Sequence, residues 1–245
     1  MSSNKAKKEY QFDTKKLRAG YDPKEHNFAV SPPIYQTTSF DFRDVEHAKA
    51  LFGLRELGNL YTRVGNPTVA VLEQRVSALD GASGAIALAS GMAAISYTLL
   101  NVAEGGGRIL TSPYLYGGSA DSFKKVYPKF GINFDLAKNI ENPEKLAEEI
   151  KPDTKAIYVE SISNPSGVLL DIDAIANVAH SHGIPLIVDN TVATPYLYNP
   201  IAHGADIVVY SATKGLTGHG NVIAGLVLES GKFNWQSEKF PQFSE

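Results

Sequence analysis

The residue with the greatest chemical potential in this sequence is a lysine that follows a predicted buried strand. The apolar run 205–210 predicts the strand, and Ser211, Thr213 and Lys214 come directly after it. A lysine amine withdrawn from water gives up its proton more easily and becomes a nucleophile. Glycines follow closely and would let the backbone bend around a ligand. An ordinary surface lysine is the alternative.

A carboxylate takes the corresponding place after another apolar run. Asp189 follows residues 185–188, which are predicted to form a second buried strand. A charge at that position is costly to bury alone, so we expect a partner beside it. A helix cap or a structural ion pair would satisfy it as well as a ligand would.

The third polar group lies between a predicted strand, 85–89, and a predicted helix, 92–102. Ser90, Gly91 and Met92 form this junction. Free N–H groups at a helix start carry the positive end of its dipole, and glycine lets an anion come close. The junction is therefore a candidate phosphate seat, although a Ser-Gly pair before a helix is also an ordinary turn.

Strands and helices alternate along most of the chain, which has 245 residues and a hydrophobic content of 43%. This alternation predicts an α/β fold with a mostly parallel sheet sandwiched by helices. Because ligands bind outside the carboxyl ends of such strands, we expect the three polar groups to meet. A helix capped by Asn66 and stopped at Gly81 precedes the first strand. Further strands are predicted over 108–111, 132–136, 156–160 and 222–228, and further helices over 119–127, 143–150 and 172–183.

Residues 1–65 have weak periodicity and several turn signals, which predict an extended N-terminal arm with one short helix near 45–54. Such an arm would reach over a neighbouring subunit, and a disordered tail with a loop is the alternative. The site is predicted to lie in a domain formed by residues 66–245.

A phosphate seat, a carboxylate and a reactive lysine together meet the needs of pyridoxal 5′-phosphate (PLP). The phosphate would anchor the cofactor at the helix start. Asp189 would keep the pyridine nitrogen protonated, and Lys214 would form an imine with the aldehyde. A protonated ring makes this cofactor an electron sink for carbanions.

Ordered motifs along the chain resemble those of the PLP-dependent enzymes of cysteine and methionine metabolism, which have the fold-type I architecture. The resemblance extends from about Thr14 to the end of the chain. It implies a longer protein, with a smaller C-terminal domain that supplies an arginine for the substrate carboxylate. This chain stops before that domain and is expected to be a fragment, which would lack the arginine for the substrate carboxylate. The motifs lie at 61–68, 89–94, 115–118, 160–165, 188–191 and 211–214.

The resemblance assigns the phosphate and the cofactor ring to particular residues. Backbone N–H groups of Gly91 and Met92 would hold the phosphate, helped by the hydroxyls of Ser211 and Thr213. Tyr116 would stack on the cofactor ring and act with the lysine in catalysis. By spacing alone, Tyr116 is a core or loop tyrosine.

Three more residues gain a role only through the resemblance. Asn164 would contact the cofactor or the substrate, and Tyr61 and Arg63 would reach the phosphate bound by a neighbouring subunit. A competent site would then need at least a dimer, and the family implies a homotetramer. Without the resemblance, Arg63 is a solvated charge.

Within the family, segments 51–59, 218–220 and 230–235 look most similar to O-acetylhomoserine sulfhydrylases. The implied reaction is a γ-replacement in which O-acetyl-L-homoserine and sulfide give L-homocysteine and acetate. Cystathionine γ-synthase and methionine γ-lyase activities are the nearest alternatives. A truncated, non-catalytic PLP-binding piece is the alternative from another class.

The composition excludes several other kinds of site. The chain has no cysteine, so it has no disulfide, thiolate nucleophile or Cys-based zinc site, and we predict no metal. A net charge of −3 without a basic patch argues against nucleic-acid and membrane partners. With no secretory signal and no apolar run near ~18 residues, we expect a cytoplasmic protein. The sequence has no Gly-x-Gly-x-x-Gly motif after its first predicted strand, which argues against a nicotinamide-binding domain.

Overall fold

The computed structural model of the protein describes residues 10–244. The chain forms two compact units, one ending at Ala78 and the other beginning at Leu79. The division lies inside the helix Pro67–Asp80, which is the helix predicted between Asn66 and Gly81. The division into an N-terminal arm, 1–65, and a PLP-binding domain, 66–245, stays a prediction.

The first unit is poor in regular structure. It contains α1 (Phe12–Arg18), α2 (Val45–Phe52) and most of α3 (Pro67–Asp80). The prediction of a helix near 45–54 is confirmed by α2, whereas α1 was not predicted. Helix α1 buries none of its residues, so its sequence has no apolar face to signal it.

Helix α3 begins as its sequence predicts. The Asn66 side chain accepts a hydrogen bond from the Thr68 N–H at 2.9 Å and donates to the Tyr35 carbonyl at 2.9 Å. The cap therefore satisfies one of the free N–H groups of the first turn and also fixes the preceding loop.

The second unit is built on a seven-stranded sheet, and the predicted α/β fold is confirmed. The strands are β1 (Gly84–Leu88), β2 (Gly107–Thr111), β3 (Ile132–Leu136), β4 (Thr154–Glu160), β5 (Leu186–Asp189), β6 (Ile207–Ser211) and β7 (Gly225–Glu229). Their order in the sheet is β1-β7-β6-β5-β4-β2-β3. Strands β2 to β6 pair in parallel, and β7 is antiparallel to both of its neighbours.

Helices cover the sheet and leave its central strands buried. Ile187 and Val209 pack into a core with Leu99, while Val188 and Val208, which point to the opposite face, are also fully buried. Strands buried on both faces explain the continuous apolar runs in the sequence. The helices are α4 (Gly91–Val102), α5 (Gly117–Lys125), α6 (Pro143–Glu148), α7 (Ile172–Ser181) and α8 (Thr194–Leu197).

The predicted strands and helices of this unit are present, and their ends differ by a few residues. The last strand begins at Gly225 rather than at 222, because Ala224 exchanges two hydrogen bonds with the Thr213 hydroxyl. Asp171 caps α7 as predicted, accepting from the Ala174 N–H at 3.0 Å. Between residues 10 and 244, no helix combines the length and the apolarity that a membrane crossing requires.

Candidate active site

A cavity of about 530 Å³ opens at the carboxyl ends of the parallel strands in the second unit. Strands β4, β5 and β6 end at Glu160, Asp189 and Ser211, and all three residues line it. The topology therefore brings together groups that lie far apart in sequence, as expected for an open α/β sheet. Eight predicted site residues line the cavity: Gly91, Met92, Tyr116, Asn164, Asp189, Ser211, Thr213 and Lys214.

One wall of the cavity is the first turn of α4. Ser90 caps this helix by accepting a hydrogen bond from the Ala93 N–H at 3.0 Å. The N–H groups of Gly91 and Met92 come first in the helix and have no carbonyl of the preceding turn to bond. Gly91 packs so closely on Ser211 that a Cβ atom would lie 2.5 Å from the Ser211 Cβ. Glycine therefore brings a hydroxyl directly against the helix start, where an anion binds well.

Asp189 lines the same cavity from the end of β5. One oxygen accepts from the Thr191 N–H at 3.0 Å, and the other accepts from the Tyr158 hydroxyl at 3.3 Å. Burial raises the pKa of Asp189, and the hydrogen bonds from Thr191 and Tyr158 oppose that rise. The carboxylate has no cation among these partners, so a cationic ligand group would complete its environment.

Lys214 lies in a tight loop after β6. Its N–H donates to the Ser211 carbonyl at 3.1 Å, and its carbonyl accepts from the Gly218 N–H at 2.9 Å. The side chain is exposed toward the cavity that it lines. The Thr213 hydroxyl next to it bonds the Ala224 carbonyl at 3.2 Å and the Ala224 N–H at 3.1 Å. Thr213 thus ties the lysine loop to the segment before β7.

Glu160 lines the cavity although its residue type and spacing predicted no role for it. It is 4% exposed, and it is the register partner of Asp189 in the β4–β5 pair. Its two oxygens accept hydrogen bonds from the Tyr116 N–H at 2.6 Å and the Asn164 N–H at 3.0 Å. Burial raises its pKa to about 7, the two N–H groups counteract this, and the Asp189 charge adds to it.

Two further contacts at the site are not predicted by the sequence. Thr191 accepts from the Ser211 N–H at 2.8 Å, which links the ends of β5 and β6, and Tyr158 supports Asp189 from the buried core. A polar residue just after an apolar strand is the signal that could have found Glu160 and Thr191. Nothing in the sequence pattern distinguishes Tyr158 from a core tyrosine.

A buried polar chain lies beneath the cavity. Ser161 donates to Asn190 at 2.7 Å, Asn190 donates to the Tyr210 hydroxyl at 2.9 Å, and Tyr210 donates to Asp80 at 2.8 Å. Burial raises the pKa of Asp80 to about 7. The folded chain keeps this proton up to about pH 7, whereas an unfolded aspartate releases it near pH 4. Asp80 therefore makes folding less favourable as the pH rises between these values.

The remaining predicted residues, Tyr61 and Arg63, belong to the first unit. The Arg63 guanidinium lies over the Tyr61 ring, 4.7 Å from its centroid, and Tyr61 forms an isolated antiparallel bridge with Ser39. Their expected contact with a neighbouring subunit stays a prediction.

Comparison with known proteins gives consistent matches over nearly the whole chain. The family of Cys/Met metabolism PLP-dependent enzymes matches residues 13–244. Sulfhydrylase FUB7 of Fusarium oxysporum is 48% identical over 96% of this chain and 54% of its own length. The O-acetyl-L-homoserine sulfhydrylase of Leptospira meyeri is 45% identical over 95% of this chain and 52% of its own length. The chain thus spans about half the length of the curated relatives it matches.

A solved structure matches as closely in three dimensions. It is that of a candidate O-acetylhomoserine (thiol)-lyase from Campylobacter jejuni, with N′-pyridoxyl-lysine-5′-monophosphate at one position of its chain. The TM-score is 0.87 at 38% identity, and the match covers 91% of this chain and 55% of the other.

Proposed function

We propose, because this chain belongs to the family of Cys/Met metabolism PLP-dependent enzymes, that the cavity of its second unit binds PLP. PLP is the cofactor of this family. The observation that supports the proposal is the meeting of an amine, a carboxylate and a helix start around one cavity. Its volume of about 530 Å³ lies in the range of sites for small ligands.

The lining residues fit the three parts of the cofactor. The start of α4 and the Ser211 hydroxyl offer donors to a phosphate, and Gly91 keeps the space between them clear. Asp189 offers a carboxylate to a protonated ring nitrogen, and Lys214 offers its amine to the aldehyde. Tyr116 would pack on the ring, and Asn164 would contact the cofactor or the substrate.

Each polar group then has a chemical task. Bound PLP supplies an electron sink for negative charge at the carbon beside the substrate amine. The Nζ of Lys214 would take the proton from that carbon as a general base. Asp189 keeps its negative charge next to the ring nitrogen and so favours the protonated form of the ring. Tyr158 and Thr191 hold the Asp189 oxygens in place for this task.

The substrate follows from the names of the relatives. We infer a γ-replacement in which the Cγ–O bond of O-acetyl-L-homoserine breaks, acetate leaves with the electron pair, and sulfide forms the new Cγ–S bond of L-homocysteine. The relatives named O-acetyl-L-homoserine sulfhydrylase support this choice. Because the chain spans about half of their length, the reaction is proposed for the whole protein that contains this chain.

We also propose that two copies of the chain complete each other's sites, in a dimer or a tetramer. Tyr61 and Arg63 would come from the neighbouring copy and bind the phosphate there. Support comes from the stacked pair that they form, which presents a guanidinium and a hydroxyl together. A cytoplasmic location is proposed with it, because a sequence without cysteine fits a reducing compartment.

Product analysis tests the proposed reaction. The whole protein that contains this chain is incubated with PLP, O-acetyl-L-homoserine and sulfide, and homocysteine is measured by chromatography. The Lys214→Ala variant should form no homocysteine above background. The matched control is Lys129→Ala, an exposed lysine outside the cavity lining, which should retain the parent rate.

Two results would contradict parts of this proposal. Homocysteine formed by the Lys214→Ala chain at the parent rate would exclude the lysine as the proton-transferring group. Faster formation of cystathionine from cysteine than of homocysteine from sulfide would identify a γ-synthase instead.

A further inference from the structure

Glu160 joins two separate loops that both contribute to the cavity lining. One loop follows β2 and ends at Tyr116, directly before α5, and the other follows β4 and contains Asn164. The carboxylate of Glu160 accepts from the N–H of both residues, at 2.6 Å and 3.0 Å. A single side chain thus fixes the backbone of the two loops relative to each other.

The two residues held in this way both line the cavity and have exposed side chains. Tyr116 is 50% exposed, and Asn164 is also exposed, so packing alone does not immobilise either of them. Both line the cavity with Asp189 and Lys214. The backbone positions that Glu160 fixes therefore set where these two side chains begin.

A carboxylate at this buried position costs free energy unless its negative charge accepts hydrogen bonds that a neutral side chain could not. Glu160 is 4% exposed and lies beside Asp189, the adjacent strand's carboxylate, so its ionised form is destabilised by burial and by like charge. A carboxylate offers two acceptor oxygens at once, whereas an amide of the same shape offers one acceptor and one donor. Only the carboxylate can satisfy both N–H groups.

We propose that Glu160 is a positioning residue that holds Tyr116 and Asn164 at the distance from each other that PLP binding requires. The proposal rests on the proposed function, because it assumes that PLP occupies the cavity. We assign Glu160 no contact of its own with the cofactor, because both of its oxygens already accept from the two N–H groups. It acts through the two loops. Without Glu160, the backbones of Tyr116 and Asn164 are no longer held at a fixed distance from each other, so the two residues no longer contact the cofactor together.

The test compares Glu160→Gln with the parent chain in two measurements. In the chain without cofactor, amide hydrogen exchange should accelerate about tenfold or more at Tyr116 or Asn164, where one N–H loses its charged acceptor. In the chain with PLP, the dissociation constant of the cofactor should rise about tenfold. Its visible circular dichroism, which reports the asymmetry of the ring's surroundings, should change.

Glu149→Gln is the matched control. The Glu149 carboxylate also accepts from two backbone N–H groups, those of Lys138 at 2.8 Å and Asn139 at 3.0 Å, but it lies outside the cavity lining. This control, like Glu160→Gln, removes the charged acceptor of one of two backbone N–H groups, so it should accelerate exchange locally. It should leave PLP affinity and the visible circular dichroism at parent values.

The outcomes separate this proposal from the function on which it rests. A parent chain that fails to bind PLP contradicts the proposed function, and the positioning role with it. If the parent binds PLP, a Glu160→Gln chain with parent affinity and an unchanged spectrum overturns the positioning role alone. Should that variant not fold, Glu160→Asp replaces it, since a side chain one methylene shorter cannot reach both N–H groups. Parent-like exchange at both amides and parent-like PLP affinity in Glu160→Asp would overturn the proposal.

Discussion

Replacing Gly91 by alanine tests the phosphate seat at the start of α4. The added Cβ would lie 2.5 Å from the Ser211 Cβ and 2.8 Å from the Ser211 Cα. Carbon atoms in contact are normally about 3.5–4.0 Å apart, so one side must move by about 1 Å. Rotating the Ser211 side chain cannot relieve the contact, because one of the atoms belongs to the backbone. The helix start and the end of β6 must therefore separate.

The expected magnitude follows from this displacement. Overpacking of a close contact costs about 1–3 kcal/mol. If the cofactor phosphate needs both the helix N–H groups and Ser211 in place, the same energy is lost from binding. The dissociation constant of PLP should then rise about 5- to 150-fold.

The assay is a titration of Gly91→Ala with PLP, followed by the near-visible absorption of the bound cofactor. Gly84→Ala is the matched control, because a Cβ at Gly84 meets no atom within 4 Å. The control should bind PLP like the parent chain. If Gly91→Ala also binds PLP with parent affinity, the phosphate is bound elsewhere, and its assignment to the start of α4 is wrong.

Two further predictions concern stability and subunit exchange. Asp80→Asn should be more stable than the parent chain at pH 7.5, by up to about 4 kcal/mol, because the amide cannot ionise. The difference should shrink as the pH falls and vanish near about pH 3, below both the folded and the unfolded pKa, and urea unfolding at pH 7.5 and at about pH 3 measures it. If Arg63 serves the neighbouring copy, Arg63→Ala and Lys214→Ala chains, each inactive alone, should regain about a quarter of parent activity when refolded together.

Each of these predictions has a clear opposite result. A stability difference between Asp80→Asn and the parent that does not change with pH would mean that Asp80 ionises normally in the folded chain. No activity in the mixed Arg63→Ala and Lys214→Ala sample would mean that Arg63 does not reach across a subunit interface.

The central part of the fold could be predicted well because its strands are buried on both faces. Continuous apolar runs such as 205–210, alternating with helical patterns, are typical of parallel strands covered by helices. The short helix α1 escaped prediction because it buries no residue. The reversed direction of β7 also leaves no mark in its own residues, since pairing direction depends on the connection and not on the apolar pattern.

The predicted site includes Asp189, a polar residue that ends an apolar strand. Glu160 stands in the same place on β4, but its role depends on two N–H groups that approach from distant loops. Tyr158 is similar, because its hydroxyl reaches Asp189 from a fully buried ring. Such contacts arise from tertiary structure and leave no local pattern. Thr213 also bonds the Ala224 backbone, a contact that spacing could not reveal.

The most direct test of the central claim is to fix the cofactor covalently and locate it. The purified chain is loaded with PLP, its near-visible spectrum is recorded, and borohydride is added before digestion and peptide mapping by mass spectrometry. The account predicts that borohydride removes the visible band and that the pyridoxyl mass is found on Lys214. A label on another lysine, or no label after PLP has been added, would contradict the assignment of the site.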